Sequence, residues 1–439
     1  MQTRKSQTPY SNVQVVLFAN RGSAIREFFT ESQGLSMVNI ANLSCLSHLI
    51  NQFMQLGFLN LTIVCLKVES ELYQEFILQR YPYMVSVFPV DGDKTTCEII
   101  RMLPRAKQNL IFPIDLFTTI DLTAFVDFHL FEKALITIFA TQYKLDEKEI
   151  QNSPGVQRAV NSQAGQHFFV YDETNPKKLV SLLADDVCVR NDIDLGMKRV
   201  ERDESLESFS SIDETDEFLH GMEISPEILQ NVRSMIVESS SQLTRVYLLS
   251  SECVDYLNEN EDIHSIESEL IPRLCSKLMN TYIYRDGPND ITLRANDCVT
   301  LYHINLKCAT GKFGLFMPAA QFIPLEGSEN GYFAEGKPKV PENFRYTPGS
   351  VFGDNFSAGE KTIVTKSVIG RNCKVGKNCV IQNCVIYDHV TIDDGCRIKN
   401  CMIGCDSKIP SGSTLTQCFV APRFSSEKAI KEECTLIKI

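Results

Sequence analysis

From Phe352 onward, aliphatic or small residues recur every six positions, with a step of five after each third one. The series runs Phe352, Ala358, Val364; Ile369, Val375, Ile381; Ile386, Ile392, Ile398; Ile403, Ile409, Leu415; and Val420. Six, six and five residues make a 17-residue unit. Other columns keep the same period: Ser367, Cys384, Cys401 and Cys418; Cys379 and Cys396; Asn383 and Asn400; and Val368, Val385, Met402 and Phe419. An α-helix turns every 3.6 residues and cannot carry a six-residue apolar beat. Three short strands per unit can, each turning one aliphatic side chain inward, with successive coils stacked on a shared core. The pattern predicts a left-handed parallel β-helix over residues 346–424. Small residues four places on (Cys373, Cys379, Cys396, Ser407, Ser413) fit a tight cross-section, so the cysteine columns read as packing rather than redox chemistry. Gly370, Gly376, Gly395, Gly404 and Gly412 are expected at corners that need backbone freedom.

Residues 13–140 carry a different pattern, in which apolar strand-length runs alternate with helical spacing. Strands are predicted at Val13–Ala19, Leu61–Leu66, Val85–Val90, Asn109–Ile114 and Ala134–Ala140. Helices are predicted at Leu43–Leu56, with Gly57 as its C-cap, near Glu69–Arg80, and at Asp121–Glu132. This alternation predicts a doubly wound, Rossmann-like α/β sheet. Ligands of such sheets sit beyond the strands' carboxyl ends, where Asn20-Arg21-Gly22-Ser23 and Pro113-Ile114-Asp115 should lie. Further on, Pro154–Gly165 reads as a loop, Phe168–Tyr171, Arg245–Ser250 and Val299–Leu306 as strands, and Ser251–Asn258 and Ser265–Leu278 as helical. The α/β domain is therefore expected over 13–310 and a Gly/Pro-rich linker over 311–345. Glu201–Glu217, with eight acids and one Arg, reads as a solvated loop.

Charge narrows the partners. The 439-residue chain has a net charge of −12 and no Lys/Arg-rich run, against general nucleic-acid binding. Met1–Asn12 lacks the apolar core of a signal peptide, and the longest apolar runs are too short to span a bilayer. A cytosolic location is expected, with no membrane contact. The 16 cysteines are scattered, so reduced buried thiols are the default. Cys401 and Cys405 have three residues between them and no His at zinc-finger spacing, so no metal is expected. His389 is the one candidate for the catalytic His that such solenoids carry in acyltransferases. It lies in frame, with no inserted loop, and reads as a surface residue.

The repeats resemble the hexapeptide-repeat family, and an α/β domain followed by such repeats resembles the sugar-nucleotidyltransferase superfamily. Val15-Val16-Leu17-Phe18-Ala19-Asn20-Arg21-Gly22 is similar to that superfamily's opening strand and glycine-rich loop. Asn109–His129 is similar to its strand, Asp-Leu and helix. Arg245–Leu257 and Asn260–Met279 are similar to one branch, the gamma subunit of translation initiation factor 2B. The chain stops soon after the repeats, where the epsilon paralogue would carry a catalytic helical extension, so a gamma-type subunit is the expectation.

Nucleotidyl transfer needs amides that cradle phosphates, a cation on the transferred phosphate and a carboxylate-bound Mg²⁺. The resemblance implies a Gly-x-Gly-x-Arg loop and a Pro-Lys-Pro lysine. Here Gly22 is the loop's only glycine, Ala24 stands where the Arg belongs, and Gly34-Leu35-Ser36 aligns with Pro-Lys-Pro. The nucleotide-contacting Gly-Thr-Ala stretch corresponds to about Lys94-Thr95-Thr96. Arg21 or Arg26 could substitute in principle, but neither sits at the motif position. Gly22 and Asp115 are the candidate vestigial nucleotide-binding residues, and Asp115 reads equally well as a cap for the turn that follows. Two lost phosphate-binding groups, at roughly 10²–10³ in rate for one donor, leave little transferase activity. The resemblance thus implies a non-catalytic subunit without cofactor. It would pair with the epsilon subunit and other subunits of the exchange complex and help dock initiation factor 2. The alternative is a regulatory or active subunit of a GDP-mannose-type pyrophosphorylase.

Overall fold

The computed structural model describes residues 10–19, 35–142 except 83, 167–184, 232–313 except 233, 296 and 312, and 339–437 except 434 and 435. The expected loops at 154–165 and 201–217 lie outside the described residues, as does most of the expected linker.

Ten strands form one mixed sheet: β1 (Val13–Phe18), β2 (Leu61–Leu66), β3 (Val85–Val90), β4 (Gln108–Pro113), β5 (Ile136–Thr141), β6 (His167–Asp172), β7 (Asn175–Ala184), β8 (Met235–Glu238), β9 (Gln242–Ser250) and β10 (Thr281–Arg285). Their order is β8-β6-β7-β10-β5-β9-β4-β1-β2-β3. The parallel run β3-β2-β1-β4 puts a topological switch between β1 and β4, whose register pairs Phe18 with Pro113. β9 lies antiparallel between β4 and β5, so the sheet is mixed rather than purely parallel. The parallel strands β1 and β2 are buried along their whole length because both faces are covered there. One face buries Val16, Phe18 and Ile111 against α3 (Thr96–Met102) and α5 (Ser251–Glu259). The other buries Val15, Leu17 and Phe112 against α1 (Cys45–Gln55) and α4 (Leu122–Glu132).

Local chemistry sets the helix ends. Ser44 caps α1 by accepting from Ser47 N, and Gly57 follows the helix at φ +88°. Asp121 caps α4, accepting from Thr123 and Ala124 N. The helix expected from Glu69 starts at Ser70 (α2, Ser70–Arg80), and the one expected at Ser265–Leu278 divides into a π-helical turn, Ile266–Leu270, and α6, Ile271–Ser276.

One element differs in kind. Val299–Leu306, read as a strand, is the middle of helix α7 (Cys298–Ala309). Asp297 starts it by accepting from Thr300 N at 2.8 Å, a capping signal that the β-branched, aromatic run obscured. The helix is buried on most of its circumference, between the sheet domain and the coil, so no polar face marks its period.

Residues 345–437 form the left-handed parallel β-helix. Side A stacks strands at Val351–Phe352, Val368–Ile369, Val385–Ile386, Met402–Ile403, Phe419–Val420 and Leu436–Ile437. Side B stacks Arg345–Tyr346, Ile363–Thr365, Val380–Gln382, Arg397–Lys399, Thr414–Thr416 and Lys431–Glu433. Side C stacks Ser357–Ala358, Lys374–Val375, Thr391–Ile392 and Lys408–Ile409. From Val351 onward the register advances by 17 residues at every step, so no loop interrupts the stack. The ladder continues beyond residue 424 to Ile437. Phe352, Ile369, Ile386, Ile403 and Val420 line the interior, and Cys373, Cys379, Cys396, Ser407 and Ser413 are buried beside them. Cysteine Sγ atoms donate to carbonyls of their own and the next coil, as Cys384 does to Gln382 O (3.1 Å) and Ile398 O (3.4 Å). Burial pushes the Cys373 thiol up to about 12.

The corners correct the reading of the glycines. The left-handed corner positions fall in three 17-residue columns: Asn355, Asn372, His389, Asp406 and Arg423; Lys361, Asn378, Gly395 and Gly412; and Lys366, Asn383, Asn400 and Gln417. Gly370, Gly376 and Gly404 have no positive φ. They are small because the neighbouring coil approaches closely: a Cβ on Gly370 would lie 2.6 Å from Asp388 N, and one on Gly404 2.5 Å from Pro422 N.

Candidate functional site

The switch between β1 and β4 opens at the strands' carboxyl ends. Asp115 lies two residues past the end of β4 and is 3% exposed. Its Oδ2 accepts from an Arg294 guanidinium nitrogen at 2.7 Å, while its Oδ1 has no hydrogen-bond partner. Its backbone carbonyl accepts from Ala295 N at 2.7 Å, and the short strands Leu116–Thr118 and Thr292–Arg294 pair beside it. Asp115 is therefore neither a cap nor poised over open space: a guanidinium from 179 residues away pairs with one of its carboxylate oxygens. Among the described residues no group of three or more His, Cys, Asp or Glu side chains could hold a metal. Gly22, with Arg21, Ala24, Arg26 and Gly34, lies outside the described residues.

The other described crevice groups are also taken up internally. Leu35, at the lysine position of the resemblance, starts a 3₁₀ turn, Leu35–Met37, in which Ser36 Oγ hydrogen-bonds Tyr73 OH. Thr95 and Glu98 form a reciprocal capping box on α3: Glu98 N donates to Thr95 Oγ1 (3.3 Å) and Thr95 N to Glu98 Oε2 (2.8 Å). Hydrogen bonding from Thr95 N lowers the Glu98 pKa. Lys94 pairs with Glu98 at 3.4 Å, and Lys67 with Asp91 at 2.7 Å. Cys97 N donates to His264 O, so the 260–279 segment packs over the start of α3. Cys45 is fully buried; burial first, then the Cys308 and Asp115 charges, raise its thiol pKa and keep it from acting as a nucleophile. Burial lowers the His48 ring to about 4 while its Nε2 hydrogen-bonds Ile40 O at 2.8 Å, so it is a neutral structural group at pH 7.

Sequence reasoning missed the seam between crevice and coil. The hairpin Asn39–Ser44 turns at Ala41 (φ 47°) and Asn42 (φ 68°), a left-handed pair that matches a two-residue β-hairpin. Ala in that conformation costs on the order of 1 kcal/mol and needs outside support. Ala41 N donates to Asn305 Oδ1 (2.9 Å), Asn42 Nδ2 to Ile369 O (2.8 Å), and the Arg371 guanidinium to Asn42 O (3.0 Å). Asn39 Nδ2 donates to Asp388 Oδ2 (3.3 Å), and Tyr302 OH on α7 to Asn383 O (2.7 Å). Val351, Val368, Val385, Met402 and Phe419 face outward on side A and share an apolar cluster with Val38, Ile40, Leu301 and Tyr302. The period-17 column Val368–Phe419 was the available signal: an outward-facing apolar column on a coil needs a cover. His389 sits exposed at a corner, its N donating to Arg371 O.

The described sides of the coil are regular and loop-free, and Asp115 and Lys94 are each engaged in an ion pair within the chain. Residues 330–432 match the family model of the EIF2B subunit epsilon LbH domain, the left-handed β-helix of a translation initiation factor 2B subunit. The match lies in the C-terminal quarter of the chain, and the coil is similar to that domain over nearly its whole length. Among the described residues no helix is long and apolar enough to cross a membrane.

Proposed function

We propose that the chain is a gamma-type, non-catalytic subunit of the initiation factor 2B guanine-nucleotide exchange complex. The observation that carries this reading is the match of residues 330–432 to an initiation factor 2B coil. The likeness of Arg245–Leu257 and Asn260–Met279 to the gamma branch supports the finer assignment, although the family model itself carries epsilon's name. In this reading the chain scaffolds the epsilon subunit, joins the other subunits in the cytosol, and helps position initiation factor 2 while its GDP is exchanged for GTP. Transferase chemistry is silent because the Asp115 carboxylate is held by Arg294 and the Lys94–Glu98 stretch caps α3.

Affinity purification of the tagged chain from its own cells tests the proposal. Epsilon and initiation factor 2 should co-purify; recovery of the chain without either would defeat it. A melting-temperature rise with GDP-mannose, together with absence of those partners, would favour a pyrophosphorylase subunit instead.

A further inference from the structure

The three sides of the coil differ in what covers them. Side A lies under α7 and the hairpin Asn39–Ser44. Side B carries an outward column of Arg345, Ile363, Val380, Arg397, Thr414 and Lys431, all exposed. Ile363 and Val380, adjacent in register, are 37% and 39% exposed. The next outward column is Thr365, Gln382, Lys399, Thr416 and Glu433. Six strands at about 4.8 Å make a flat strip roughly 24 Å long.

The coil's charge balance differs from that of the whole chain. Residues 339–437 hold 13 Lys and Arg against 10 Asp and Glu, whereas the whole chain stands at −12. Some surface cations find acids, as Lys67 does with Asp91 and, on side C, Lys408 with Asp393 at 4.0 Å. Among the described residues, Arg345, Arg397, Lys399 and Lys431 make no ion pair. The two columns hold one carboxylate, Glu433, in the last coil. An exposed aliphatic pair flanked by unpaired cations has the anatomy of an interface: an apolar centre with a charged rim.

We infer that side B is the docking surface for a protein partner that presents carboxylates around an apolar centre on a flat sheet or helix face. A second copy does not fit, because two-fold stacking of this face on itself sets cation against cation. A duplex carries about one charge per 1.7 Å, far denser than four cations along this strip, and offers nothing to the aliphatic centre. The inference rests on the reading that the chain works within a multisubunit assembly.

The test uses the assembly purified through the tagged chain and cross-linked with a zero-length carbodiimide reagent. Lys399 and Lys431 should couple to Asp or Glu of one other subunit, and the coupling should fade between about 0.1 and about 0.5 M salt. The variant Arg397→Glu/Lys399→Glu/Lys431→Glu should lower recovery of that subunit by at least about tenfold with an unchanged melting temperature. The milder Ile363→Ser/Val380→Ser should weaken it in the same direction, and Lys374→Glu/Lys408→Glu on side C should not. Full recovery of every subunit by the triple variant, cross-links confined to this chain, or loss of the contact on ribonuclease treatment would overturn the inference. If the wild-type chain itself came down alone, the assembly reading would fall as well; an intact assembly with the triple variant defeats only the side B assignment.

Discussion

The coil and the crevice use polar and apolar residues in opposite ways. In the coil, each residue's role repeats 17 positions on: Ile369, Ile386 and Ile403 are buried alike, and Asn372, His389 and Asp406 turn alike. In the crevice, a residue's role depends on a partner far away in the chain. Asp115 reads as a vestigial nucleotide-binding residue or a cap until Arg294 pairs with it, and Thr95 reads as part of a nucleotide contact until Glu98 completes a capping box. Local repetition can be read from one sequence; long-range pairing cannot.

The sharpest way to break this contrast is to empty the coil's core. Ile398→Ala removes an inward side chain stacked between Ile381 and Leu415, and should cost about 3–4 kcal/mol of stability in chemical denaturation. A loss below about 1 kcal/mol would mean that the stack is loosely packed.

Acid should strain the sheet domain next. Burial holds His48 and His129 neutral, each lowered to about 4. The unfolded chain takes up those protons near pH 6.5, so their contribution is full above that pH and is lost as pH falls towards 4. Roughly 2–3 kcal/mol per histidine is at stake, and His48→Gln/His129→Gln should flatten this limb of the stability–pH curve. An unchanged slope in the double variant would contradict the assignment.

Arg294→Met should cost about 2 kcal/mol, less than for a fully buried pair because the Arg294 side chain is 22% exposed. Adding Asp115→Asn should recover most of it, which a double-mutant cycle in urea would show. Independent, additive losses would mean that the two residues do not neutralise each other.

The smallest effect belongs to His389. Asn occupies the equivalent corners at Asn355 and Asn372, so His389→Asn should change stability by less than about 0.5 kcal/mol and leave partner recovery unaltered. A large functional loss would give this residue a role beyond the corner.

Much of the architecture was legible. The period of 17 placed the coil strands, and the apolar runs placed β1 to β5 within a residue or two. The failures have physical causes. Val299–Leu306 looked like a strand because a helix buried on most sides loses its amphipathic signature. Gly370 and Gly404 read as corners that need backbone freedom, whereas the neighbouring coil's backbone leaves no room for a side chain. At the crevice the sequence pointed to Asp115, but Arg294 carries no motif and could be found only once β4 and the Thr292–Arg294 strand were side by side. Gly22 lies outside the described residues.

The central claim, that this protein acts by holding partners rather than by transferring nucleotides, meets its most direct test in an assay of pyrophosphate release. Purified chain with GTP, mannose 1-phosphate and Mg²⁺ should release none above the no-enzyme control. Turnover near an ordinary enzymatic rate of about 10 s⁻¹, abolished by Asp115→Asn, would contradict it.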